Sequence, residues 1–104
     1  MRLLLLIALL VGVAWSAWAA EMTVIQSHTT FDMDSATINA GDTIIFANKD
    51  DVTHNINVTS SSGDNDDKGL QKPGQDIKAV FPRSGEYKVH CAIHPKMKMT
   101  VTVR

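Results

Sequence analysis

The segment Tyr87–Val103, YKVHCAIHPKMKMTVTV, holds the densest chemistry of the chain and its clearest structural rhythm. From Glu86 to Cys91 the residues alternate, with Tyr87, Val89 and Cys91 on one side and Glu86, Lys88 and His90 on the other. Alternation returns over Thr100 to Arg104, where Val101 and Val103 share a face. A period of two marks strands with one buried side. Between the two runs stands Pro95, which has no amide hydrogen and discourages continued pairing, so Ala92 to Met97 reads as a turn. The segment therefore predicts two strands joined by a short loop, with Cys91 facing inward where the first strand ends.

The rest of the chain keeps this character. Short β-prone runs occupy Met22 to Gln26, Thr37 to Ala40, Thr43 to Ala47 and Asp76 to Phe81, each bounded by Gly, Pro, Asn or Asp. Val52 to Thr59 alternates, with Val52, His54, Ile56 and Val58 on its apolar side. Ser60 to Gln75 is polar and rich in glycine, and reads as a long connection with one irregular turn near Leu70. Seven to eight short strands with no long helical period predict an all-β chain folded as an antiparallel β-sandwich.

The first residues read as a processing signal. Arg2 supplies a positive start, Leu3 to Ala14 is apolar apart from Gly12, and Ala17-Trp18-Ala19 is an Ala-x-Ala cleavage pattern. Residues 1–19 are expected to be a cleaved Sec-type signal peptide and residues 20–104 a single domain. The competing reading is an uncleaved anchor, because the apolar run approaches the roughly 18 residues that span a bilayer. No charged stop-transfer flank follows it. The whole chain of 104 residues carries 10 Lys plus Arg against 11 Asp plus Glu; without Arg2 the balance is net −2. Such a chain is not built to seek nucleic acid. Asp50 and Asp51, and Asp64, Asp66 and Asp67, read as solvated faces.

One cysteine cannot form an internal disulfide, and an unprotected thiol is a liability in an oxidising compartment. A ligand role for Cys91 follows more naturally than it would in the cytosol. Two histidines, a cysteine and a weak, long thioether ligand form the donor group of a blue-copper electron-transfer site. Thiolate and thioether favour Cu+, and imidazole tolerates both oxidation states. Zinc sites take Cys, His or carboxylate, so a methionine counts against zinc. The bland alternatives are a core histidine at His54 and a small core hydrophobe at Cys91. His90 adjoins the cysteine but alternates outward, and His28 lies in a polar stretch.

On these residues the chain resembles the cupredoxins, and among them amicyanin and its small plastocyanin-like and pseudoazurin-like relatives. The resemblance is carried by AGDTIIFANKDDVTHNI (Ala40–Ile56) and GEYKVHCAIHPKM (Gly85–Met97). It implies a Greek-key sandwich holding one copper ion (Cu+/Cu2+), with His54, Cys91, His94 and Met97 as ligands. It also implies that Asn55 ties the two ligand segments together and shields the sulfur. Met99 is the rival axial ligand: Met97 matches the short amicyanin-like loop, whereas Met99 gives the longer spacing without the usual glycine before it. Where many relatives have Thr-Pro, this chain has Ala92-Ile93, and Ile93 keeps an N–H. A bond from that N–H to the thiolate is expected to raise the copper potential relative to a proline.

The resemblance further implies a periplasmic electron carrier, not an enzyme, monomeric and free of the membrane after signal cleavage. Its expected donor is a periplasmic dehydrogenase and its acceptor a c-type cytochrome. His94 and Pro95 match the family's electron doorway, with Lys96 at the rim. The alternative is a copper carrier or storage module without redox turnover. A cysteine nucleophile assisted by histidine is a third reading, disfavoured because so small a domain leaves little room for a substrate cleft.

Overall fold

The computed structural model describes residues 18–104; all but the last two residues of the expected signal peptide lie outside the described residues. Nine strands and no helix are found among them: β1 (Glu21–Ser27), β2 (Thr30–Phe31), β3 (Ser35–Ile38), β4 (Thr43–Asn48), β5 (His54–Ser60), β6 (Asn65–Gln71), β7 (Asp76–Val80), β8 (Gly85–His90) and β9 (Lys98–Val103). They form two sheets, ordered β2-β1-β4-β7 and β3-β9-β8-β5-β6. The all-β sandwich is the expected one, with slightly more strands. Most pairs are antiparallel, but β1 runs parallel to β4 and β3 parallel to β9.

Side chains pointing between the sheets form the core. Val24, Ile44, Phe46, Ile56, Val89 and Val101 are wholly buried, each worth roughly 2 kcal/mol of transfer free energy. The hairpin read from the alternation is present: β8 pairs with β9, matching Val89 with Met99 and Tyr87 with Val101. Met99 is thus a strand residue facing the core. At one end of the sandwich the interior turns polar. Gln26, Asn48, Gln71 and His54 are all fully buried there, with Gln26 beside Asn48 in register and His54 beside Gln71.

The main difference from the sequence reading lies between Ser60 and Gln75. This stretch is not one long connection, because β6 runs through it and pairs along β5. Its residues, NDDKGLQ, carry no β-branched or aromatic side chain, and only Gln71 is buried. The strand owes its existence to backbone bonding with β5 rather than to any preference of its own. Val52 is also displaced from the expected pattern: β5 starts at His54, and Val52 is exposed. The short β2 comes from a two-residue turn, His28-Thr29, in which both residues have positive φ. That conformation is costly for Thr29, whose side chain is β-branched.

Candidate metal centre

The donors come from two segments at the polar end of the sandwich. His54 is the first residue of β5, and its side chain points into the core as the alternation requires. Cys91 follows the last residue of β8 and is also fully buried. Between Cys91 and β9 the chain makes a closed loop. The Met97 N–H donates to the His94 carbonyl (2.9 Å), a turn with Pro95 at the position proline prefers. The Cys91 N–H donates to the Met97 carbonyl (3.1 Å) and ties the base of the loop.

These constraints bring three predicted residues together. One donor atom from each of His54, Cys91 and His94 lies within 4.8 Å of the others. The Cys91 Sγ is 3.9 Å from His54 Nδ1 and 3.8 Å from His94 Nδ1, and the two Nδ1 atoms are 3.1 Å apart. The rings meet edge to face at 66°, and these distances show that both present Nδ1 to one point. Met97 is buried at the base of the loop, across the Cys91–Met97 backbone bond, whereas Met99 lies further along β9 opposite Val89. His90 is paired with Lys98 on the outer face, and His28 is bonded to Ser27; neither joins the cluster.

His54 is held from behind. Its Nε2 donates to the Asp50 carboxylate (2.9 Å), which leaves Nδ1 with a free lone pair. The same Asp50 oxygen accepts the N–H of Thr29 (2.8 Å), from the strained β1–β2 turn. That backbone donor first, and His54 second, hold the Asp50 carboxyl well below the usual carboxylate range. In the sequence Asp50 reads as part of a solvated acidic pair. The only signal of its role is its place four residues before His54, which is too weak to act on alone.

The sulfur is shielded as the resemblance implied. The Asn55 N–H donates to Cys91 Sγ (3.2 Å), and Asn55 Oδ1 accepts the Ala92 N–H (3.2 Å). The expected bond from Ile93 is absent among the described residues; Ile93 is half exposed, and the amide bonded to the sulfur comes from β5. The loop turns Ile93 outward, where it flanks the half-buried His94 together with exposed Ala92 and Pro95.

Two converging imidazole nitrogens, that of His54 left with a free lone pair by Asp50, and a buried thiol, with a thioether in the same loop, suit copper in either of its common oxidation states. An oxygen-seeking ion finds no carboxylate in this cluster. The profile of copper binding proteins of the plastocyanin/azurin family matches residues 19–104. Methylamine utilization protein MauL of Methylorubrum extorquens is 31% identical over 94 residues, spanning 90% of this chain and 82% of that protein. The MauL of Methylophilus methylotrophus is 35% identical over 65 residues, or 61% of this chain and 37% of that protein. Among solved structures, a reduced amicyanin variant superposes with a TM-score of 0.74 at 22% identity, covering 81% of this chain and 82% of that one. A purple cupredoxin from Nitrosopumilus maritimus gives 0.69 at 25% identity, covering 79% and 98%.

Proposed function

Because this chain belongs to the plastocyanin/azurin family of copper-binding proteins, with one copper ion as its cofactor and no enzymatic activity, we propose that it is a periplasmic single-electron carrier. The observation that carries this reading is the convergence of His54, Cys91 and His94 within 4.8 Å. We assign these three residues and Met97 as the copper ligands, with Met99 in the core. Bound copper supplies a one-electron couple between Cu+ and Cu2+.

The chain's residues serve that couple in distinct ways. His54 is fixed by Asp50, and the thiolate of Cys91 by Asn55, so the donors need not rearrange when the charge changes. His94, half buried and flanked by Ala92, Ile93 and Pro95, is the point where an electron enters or leaves. Exposed Lys96 stands at this rim, where charge steers encounter more than it adds affinity. Full burial of His54 and Cys91 favours a retained redox centre over an exchangeable carrier or storage site. Cleavage after Ala19 delivers residues 20–104 to the periplasm as a monomeric domain. The relatives named for methylamine utilization support a methylamine-oxidising dehydrogenase as donor, with a c-type cytochrome as acceptor.

Titrating the apo-protein with Cu2+ tests this. An intense visible thiolate-to-copper band, bleached by mild reductant and restored by a ferric c-type cytochrome, is the expected result. A colourless protein that takes only Cu+ would instead be a copper carrier.

A further inference from the structure

Asn55 meets the cysteine sulfur through its backbone N–H, Ala92 through its side-chain oxygen and β6 through its side-chain nitrogen. While its N–H and Oδ1 engage Cys91 and Ala92, its Nδ2 donates to Asp67 Oδ1 (2.8 Å) and to the Gly69 carbonyl (3.0 Å). Asp67 Oδ1 also accepts the Gly69 N–H (2.8 Å), which locks the carboxylate in place. An amide side chain has one accepting end and one donating end. Two acceptors on the β6 side and a donor on the Ala92 side leave Asn55 only one orientation. The bond to a carboxylate is charge-assisted and stronger than a neutral one.

A defect in β6 creates this arrangement. Ile56 pairs with Gly69 but Asn57 pairs with Asp67, so Lys68 is an unpaired extra residue and Gly69 takes a φ of 98°. In an unbroken ladder Lys68 would face Asn57, and Asp67 would point to the opposite side of the sheet. The bulge moves Asp67 onto the outer face, diagonal to Asn55 and within its reach. Bulges commonly re-aim a side chain in this way beside functional sites.

We propose that Asp67 is a positioning residue for the copper centre: it orients the Asn55 side chain toward the Ala92 amide, and by anchoring that side chain holds the Asn55 backbone N–H against the Cys91 sulfur. This rests on the copper reading above. Hydrogen bonding around the cysteine sulfur tunes the potential of such sites, and a weaker N–H···S bond stabilises Cu+ less.

The test compares Asp67→Ala with Asp67→Asn, which keeps an accepting oxygen and loses only the charge. In D67A the copper potential falls by the equivalent of roughly a tenfold change in the Cu+:Cu2+ affinity ratio, about 59 mV, and the thiolate band shifts. D67N retains the band and most of the potential. In both apo-variants, amide hydrogen exchange is read at Asn55 and Ala92; it accelerates in D67A and not in D67N. If D67A lowers stability with band, potential and exchange unchanged, Asp67 is structural only and the proposal fails. It fails too if D67N matches D67A, since charge alone would then account for the effect. Asp67→Ser, too short to reach Asn55, serves the same comparison where D67A does not fold. A wild-type protein that gives no thiolate band would refute the copper reading, while the exchange measurement would still decide the role of Asp67.

Discussion

His54 and His94 present the same ring atom to the same point, yet they stand on different supports. His54 opens a central strand, is fully buried, and has its far nitrogen bound to Asp50. His94 sits in a loop of seven residues closed by two backbone bonds, is half exposed, and its Nε2 has no protein partner among the described residues. One is part of the core and the other is part of the surface. A redox carrier needs both kinds, a ligand that holds the geometry and one that meets the partner.

The two histidines differ most visibly when each is removed and imidazole is supplied. Imidazole added with Cu2+ is expected to restore the visible band in His94→Gly, because that position opens to solvent, and to leave His54→Gly colourless. Equal rescue at both positions would show that the burial of His54 does not matter. Next in size is the stability of the apo-protein in urea. His54→Ala opens a void and removes the imidazole from Asp50, costing about 3 kcal/mol, whereas His94→Ala stays within about 0.5 kcal/mol.

The loop itself sharpens the contrast further. Met97→Leu is expected to move the copper potential by about 59 mV or more, a tenfold change in relative affinity, while Met99→Leu leaves it unchanged by voltammetry. The polar layer on the His54 side offers a smaller effect. Neither polar atom of the fully buried Gln26 side chain finds a partner in the protein. Gln26→Leu is therefore expected to raise apo-protein stability by about 1 kcal/mol, measured by thermal unfolding. The smallest effect is the acid limb. Since folding lowers the Asp50 pKa from 3.8, its contribution is full above that value and is lost as the pH falls below it. Asp50→Asn removes that contribution, so the stability of the apo-variant should fall less steeply on acidification below about pH 4.

Much of this was legible along the chain. Alternation in YKVHC and TVTVR located β8 and β9, placed Cys91 inward and His90 outward, and put Met99 in line with Val101 and Val103. The same rule turned His54 inward, and Pro95 marked the loop. The stretch NDDKGLQ was not legible as a strand, because nothing in its side chains asks for one. Its bulge, and with it the approach of Asp67 to Asn55, leaves no trace in the local pattern. Asp50 was equally hidden, since a carboxylate in a turn looks solvated until a histidine and a strained backbone N–H are brought to it.

Residue identity and a period of two already say which atoms are available and which side of a strand each one faces. It took the folded sandwich to bring His54 to Cys91 across 37 residues, to turn the Ile93 N–H away from a sulfur that the Asn55 N–H reaches, and to set β6 behind Asn55. Those outcomes depend on strand register and on how two sheets pack. Register is set by backbone bonds between residues far apart in the chain, which no local window contains.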